Sequence, residues 1–324
     1  MLLANARARR AHKKAADHSK RRAARREAKV KEAAEQAVRS LVMAGTAHDG
    51  GIGAHKFIEA HVVHPGGVLS FGPGRARVFK GKKAVEFGSE VDSRLCEMVP
   101  DWNQRLREWK RVYPARHADM FGIHFKSKSK PEQYRMRLEW TAGSIAANLE
   151  RQGFVPFLSQ RRLPVIHQTT NEVVCAPVTD LIGAVRTPGT AAGYQLAVVE
   201  VKCGAFVGSQ SATGSGGGKM REEWGGLPDT WRNRAHVQLA LQCQGAAGLH
   251  PGTVVGLLAT VVPGKDVIVT VLCPKVAEAV ATGLARFGTE EGTEPPEPPP
   301  RKKTKHKKTT TTLEDIWSRA AAPH

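Results

Sequence analysis

The sequence predicts an α/β protein in which one folded domain lies between a basic helical arm and an unstructured tail. Three observations predict it. Apolar residues recur at helical spacing from Pro131 to Gln152, at Met136, Leu138, Trp140, Ile145 and Leu149, before Gly153 stops the helix. Three β-branched stretches bounded by turn residues follow. Toward each end the apolar content drops while charge rises.

Taken in order, Ala6 to about Leu41 is mostly Ala, Arg, Lys and Glu without Pro or Gly, which predicts a charged, solvated helix. We place a basic helical extension at residues 1–45. Residues 46–85 form a Gly/His-rich connection; His55, His61 and His64 lack a second ligand cluster at zinc-finger spacing, so no chemistry is assigned to them. The folded domain spans 86–288, its periodic part beginning near Glu86 and its first assigned helix being 131–152.

Strands are expected at Phe154 to Ile166, Glu172 to Arg186 and Tyr194 to Lys202, with Thr187-Pro188-Gly189 opening the last connection. This reads as an antiparallel meander. Past the Gly/Ser-rich stretch 208–218, a helix is expected at 231–248, strands at 253–262 and 266–272, and a helix at 274–287. From 289 to 324 the composition collapses to Glu, Pro, Lys and Thr, too poor in apolar surface to offset chain entropy; this tail is expected to be disordered.

The charge bounds the partner. With 49 Lys and Arg against 30 Asp and Glu, the formal net charge is +19. Such a surface gains affinity for polyanions by releasing counterions condensed on phosphates, which makes DNA the expected partner. The five cysteines stand singly, with no CxxC pair, and so argue against a zinc site, an iron–sulfur cluster or a disulfide framework. No apolar run approaches the ~20 residues of a spanning helix, and Met1-Leu2-Leu3 gives way to Arg and Lys; a soluble protein is expected, without a membrane partner.

The chemistry concentrates on two apolar strands joined by a short turn. Asp180 stands in Pro177-Val178-Thr179-Asp180-Leu181-Ile182, and Glu200 and Lys202 stand in Ala197-Val198-Val199-Glu200-Val201-Lys202. Two residues apart on one strand, Glu200 and Lys202 point to the same face, while Val199 and Val201 pack on the other. A strand spacing of about 4.8 Å lets Asp180 and Glu200 share one divalent cation where their registers match. Phosphodiester hydrolysis needs a metal to polarise the phosphoryl oxygen and acidify a water, with a positive group beside them. Asp180 and Glu200 are then metal ligands for Mg²⁺, with Mn²⁺ as a substitute. The Val201 carbonyl completes an edge of the coordination shell, and Lys202 orients the nucleophile.

This D…ExK pattern resembles the PD-(D/E)xK nuclease superfamily, and in particular its RecB/λ-exonuclease-like branch, over about Glu86 to Phe287. The resemblance implies a restriction-endonuclease-like core, a mixed central sheet flanked by helices. In that branch the helix after the ExK strand carries a QxxxY motif. Here Gln238 supplies the Gln and implies a DNA or active-site contact, whereas Gln242 stands where Tyr is expected. The branch also places an acid or His four residues after a Gly; Gly88 and Asp92 have that spacing, which implies Asp92 as a further metal ligand, with Glu90 and Glu97 as alternatives. Thr213 and Met220 break the P-loop pattern that Gly214 to Lys219 otherwise suggests, so no ATP-driven motor is encoded.

Around this centre the Gly-rich stretch reads as a lid, with Lys219, Arg221, Arg232 and Arg234 offering phosphate contacts and Trp224 and Trp231 offering stacking faces. In the tail, Arg301 to Lys308 is a dense basic run that serves as a nuclear signal or DNA tether. Leu313, Ile316 and Trp317 weakly resemble a sliding-clamp-binding peptide. The expected activity is that of a Mg²⁺-dependent DNA nuclease, an exonuclease of recombination, repair or replication. The alternatives are a structure-specific endonuclease of the same fold and a non-catalytic basic nucleic-acid-binding protein. Basic runs at both ends suggest a nuclear location in a eukaryote or its viruses, with mitochondrial or prokaryotic cytoplasmic settings as alternatives.

Overall fold

The computed structural model describes residues 52–64, 82–113, 129–186, 194–203, 218–249, 253–261 and 267–287, together with helical positions 17, 18, 21, 22 and 25. Most of the basic arm, the Gly-rich stretch 208–217, the basic run 301–308 and the clamp-like Leu313, Ile316 and Trp317 lie outside the described residues.

Helix α1 (Ala54–Phe57) continues as a π-helical turn, Ile58–Val62. Helix α2 (Lys82–Met98) leads through the 3₁₀ turn Val99–Asp101, where Pro100 interrupts the regular helix, into α3 (Trp102–Val112). Helix α4 (Lys130–Arg151) ends where Gly153 takes a left-handed φ of 75° and donates its N–H to Glu150 O. Strand β1 (Phe154–Arg162) comes next.

The two long strands expected before and after residue 170 are each broken. Beyond β1 the chain passes Leu163-Pro164 to β2 (Val165–Ile166), and β3 (Val173–Cys175) passes Ala176-Pro177 to β4 (Val178–Arg186). A proline has no N–H for a ladder, so each break falls where pairing would lose a donor. The short pieces β2 and β3 form a separate antiparallel pair, and Leu163 N–H still reaches Pro177 O across the gap at 2.9 Å.

Strand β5 (Tyr194–Cys203), helix α5 (Trp231–Leu249), strands β6 (Val255–Val261) and β7 (Val267–Val271), and helix α6 (Pro274–Arg286) complete the fold. The central sheet is five-stranded and mixed, in the order β1-β4-β5-β6-β7. The first three of these strands form the expected antiparallel meander, β5 and β6 run parallel, and β6 and β7 are antiparallel. The parallel pair has α5 as its crossover, which is the connection such a pair requires.

Helices cover both faces. On one, Phe87, Val91 and Leu95 of α2, Trp102 and Leu106 of α3 and Ile145 and Leu149 of α4 pack on Leu181, Val199, Val201, Leu257 and Ala259. On the other, Leu239, Cys243 and Ala246 of α5 pack on Ile182, Leu196, Val198 and Leu258. The opposite flank of α5, with Val237, Ala240 and Leu241, faces Phe57, Ile58 and Val62 of the α1 segment and Val276 and Val280 of α6. That double burial explains why α5 carries apolar residues on more than one flank, and it makes the α1 segment part of the core of the domain. Among the described residues no helix is long and apolar enough to cross a membrane.

Candidate active site

The β4–β5 ladder runs from Arg186↔Tyr194 only to Leu181↔Val199, although β4 continues along β1 through Thr179↔Arg161 and Val178↔Arg162. Past Leu181 the two strands fork, and side chains of β4 take over hydrogen bonds to β5. Thr179 Oγ1 lies within donating distance of two carbonyls, Leu181 O at 3.2 Å and Val199 O at 3.3 Å. Asp180 Oδ2 accepts the Val201 N–H at 2.7 Å. The Asp180 carboxylate therefore sits in the mouth of the fork, one residue along from Glu200.

Glu200 is only 2% exposed. A buried carboxylate needs donors on its oxygens, and both have one. The Lys202 ammonium donates to Glu200 Oε1, and Gln242 Nε2 donates to Oε2 at 2.6 Å. Gln242 also reaches Val178 O at 2.8 Å, so one side chain of α5 ties β4 to β5 across the opening. One helical turn earlier on the same face of α5, Gln238 Oε1 accepts from Lys202 Nζ at 3.1 Å. Gln238 thus meets Lys202, and Gln242 meets Glu200.

The charges are concentrated. Burial, then the Glu200 and Asp92 charges, hold the Asp180 carboxyl well above its ordinary value, against the opposing pull of Lys202 and the Val201 amide. Burial and then the Glu200 charge push Asp92 up to about 7, with Lys202 opposing. Burial disfavours the Lys202 ammonium, but Glu200, its hydrogen bond, Asp180 and Asp92 outweigh that and raise its pKa. Lys202 is accordingly a fixed cation among three carboxyl groups.

The structure brings Asp92, on α2, to this group and holds its two alternatives in other contacts. Glu90 Oε1 accepts from Tyr134 OH at 3.0 Å, and Glu97 pairs with Arg94 at 2.7 Å, both at exposed positions. Val201 presents its N–H to Asp180, while its side chain lies in the core on the α2 and α4 face. Cys203 adjoins the group as well: burial, then the Asp92 and Asp180 charges, raise its thiol pKa, so it stays protonated.

Four residues at or beside the site had no role assigned from the sequence. Gln160, on β1 between the pairs Ser159↔Leu181 and Arg161↔Thr179, stands opposite Asp180 and donates Nε2 to its Oδ1 at 3.3 Å. Its φ of 50° is left-handed, a conformation rare for a side-chain-bearing residue and unsignalled by any local motif. Gln242 enters the sequence only as a departure from an expected Tyr; its spacing of four from Gln238 is the signal that places it on the same face. His55 and Glu59, 3.4 Å apart on the α1 segment, line a cavity of about 120 Å³ that also touches Lys202 and Gln238.

Other expected contacts turn inward. Arg234 forms a two-point pair with Asp229, at 2.6 and 2.7 Å, and Arg221 donates to Ala60 O and Val63 O, fastening the α1 segment. Lys219 and Arg232 remain exposed. Trp224 is buried at 4% exposure, edge-on to Phe57 with ring centroids 5.6 Å apart. Its indole is a core group and offers no stacking face.

The donor set is hard oxygen throughout, which suits Mg²⁺ or Mn²⁺ over thiophilic metals. Three carboxyl groups against one ammonium leave the cluster net negative when ionised, and a divalent cation relieves that repulsion. Each Glu200 oxygen, already accepting one hydrogen bond, keeps a lone pair free. Among the described residues, no three His, Cys, Asp or Glu side chains converge in metal-ligating geometry. No protein-family model, curated protein or solved structure matches the chain.

Proposed function

We propose that the chain is a Mg²⁺-dependent deoxyribonuclease of the PD-(D/E)xK type, acting on DNA as an exonuclease. The observation that carries this reading is the meeting of Asp180, Glu200, Lys202 and Gln238 at a fork between two strands, with Asp92 beside them. Residues from one helix, two strands and a second helix supply paired carboxylates, a fixed cation and an amide at one place. The net charge of +19 supplies a reason for a polyanion to approach.

Asp180, Glu200 and Asp92 would hold the cation, with the Val201 carbonyl as a further oxygen ligand. When bound, Mg²⁺ supplies polarisation of the phosphoryl oxygen and acidification of a water. Lys202, whose pKa is raised, serves as a positive charge and hydrogen-bond donor toward the nucleophile or the developing phosphoryl charge, and not as a base. Gln238 and Glu200 aim its ammonium, and Gln242 locks Glu200. Asp180 is oriented from both sides, by Gln160 and by the Val201 amide.

The test is cleavage of linear and closed circular DNA in Mg²⁺, in Mn²⁺ and in EDTA. Degradation of the linear form alone, abolished by EDTA and by Asp180→Ala, is the expected result. Cleavage of circles would move the assignment to an endonuclease. Absence of cleavage in any metal, or an active Asp180→Ala, would overturn the nuclease reading.

A further inference from the structure

We propose that the cavity beside Lys202 seats a base from an unpaired DNA strand, with Trp231 as its stacking platform. The cavity, of about 120 Å³, lies between the α1 segment and the first turns of α5. Trp231, Ile58 and Ala235 give it apolar surface, while Gln238, Lys202, His55, Arg234 and the carboxylate of Glu59 add polar groups to its lining. A nucleobase has that distribution: two apolar faces and a hydrogen-bonding rim. Base–aromatic stacking is tolerant of sequence, because every base presents a π-face.

Location ties the cavity to the site. Lys202 and Gln238 line it and also touch each other, and Lys202 donates onward to Glu200, so the cavity and the β4–β5 fork share a wall. A strand whose phosphate lies at the fork would have a neighbouring base within reach of Trp231. A base stacked in a duplex cannot enter such a recess without leaving its partner, so occupancy selects an unpaired end or strand.

The platform is held in place. The two-point pair of Arg234 with Asp229, the latter buried, anchors the first turn of α5 and makes Arg234 a wall of the cavity. Trp224, the other tryptophan near this turn, is committed to the core against Phe57. Trp231 is the tryptophan that lines the cavity. The inference rests on the nuclease reading for which strand is presented, and its test does not require cleavage.

The experiment measures binding in EDTA, using a short fluorescein-labelled oligothymidylate and the same oligonucleotide annealed to its complement. Wild type is expected to bind the single strand more tightly than the duplex. Trp231→Leu should weaken single-strand binding by at least about fivefold and leave duplex binding unchanged, whereas Trp231→Phe should retain most of it. Thermal midpoints check that the variants fold. If Trp231→Leu does not, tryptophan quenching decides: single-strand addition should quench wild-type emission, and Trp231→Phe should remove most of that quench. Equal single-strand affinity in wild type and Trp231→Leu, or an undiminished quench in Trp231→Phe, would overturn the proposal. Cleavage activity with Trp231-independent binding defeats only this inference. Trp231-dependent binding without cleavage defeats only the nuclease reading, and a chain that binds neither probe defeats both.

Discussion

Gln242 Nε2 donates to Glu200 Oε2 over 2.6 Å, joining a fully buried amide of α5 to a carboxylate of β5 that is itself 2% exposed. The same amide donates to Val178 O, so one side chain sets both the spacing of the fork and the orientation of its acid. Replacing it by leucine, of similar size, leaves a buried charge and a buried carbonyl short of a donor. We expect Gln242→Leu to lose about 3 kcal/mol of stability, read by urea denaturation. A variant within about 0.5 kcal/mol of wild type would show that Glu200 does not depend on this bond.

Lys202 carries its charge across the physiological range, because three carboxyl groups raise its pKa despite burial. Lys202→Ala is expected to lower the rate of DNA cleavage by about 10²- to 10³-fold. Gln238→Ala should fall less, since it leaves the ammonium in place and removes only one of its two aiming contacts. Initial rates on linear DNA at saturating Mg²⁺ measure both, and a larger loss in Gln238→Ala than in Lys202→Ala would contradict these roles.

Asp92 gives the cation-free protein a pH dependence of fixed sign. Its carboxyl is pushed from an ordinary 3.8 up to about 7 in the fold, by burial first and the Glu200 charge second. A raised folded value favours the protonated folded form, so the stability it brings is complete below pH 3.8 and is lost as pH rises through about 7. Asp180, also raised, acts in the same direction. In EDTA the thermal midpoint of wild type should therefore fall between about pH 4 and pH 7 more steeply than that of Asp92→Asn. Equal slopes would remove Asp92 from the cluster.

Adding Mg²⁺ should reverse that loss. A ligand that binds only the folded chain raises its apparent stability by mass action, and the ionised carboxylates at higher pH are its binding form. The midpoint increase on adding Mg²⁺ should be larger at pH 8 than at pH 5 and should vanish in Asp180→Ala. An increase equal at both pH values and unaffected by Asp180→Ala would locate the cation elsewhere.

Phe57 tests whether the α1 segment belongs to the domain core. It is fully buried, packed edge-on against Trp224 and beside Phe287. Phe57→Ala should cost about 3–5 kcal/mol, seen as a lowered denaturation midpoint. A change under about 1 kcal/mol would mean the segment is dispensable to the fold.

Much of the frame was legible in the chain because it depends on neighbours in sequence. The helices at 130–151, 231–249 and 274–286 and the strands at 194–203, 255–261 and 267–271 follow from local periodicity and turn residues, and the observed bounds fall within a few positions of those expected. Pro164 and Pro177 were equally visible, yet the splitting of two expected strands depended on where the chain next found a partner. The region 52–64 read as a connection because its Gly and His residues outweighed Phe57, Ile58 and Val62. Its burial came from a groove between α5 and α6 that exists only once those helices have packed.

The candidate site divides in the same way. Glu200 and Lys202 lie two apart on one strand, so the pleat alone sets their common face, and Gln238 and Gln242 lie four apart on one helix, so the helical turn sets theirs. Local spacing alone sets those two pairs and the apolar strands that carry Asp180 and Glu200. Long-range packing selects the acid of α2 that reaches the fork, sets Gln160 against Asp180, and brings Trp231 to the cavity. Those contacts join residues distant in sequence, through the seating of α2 on the sheet, the bulged register of β1 and the packing of α1 on α5, and no local spacing encodes them.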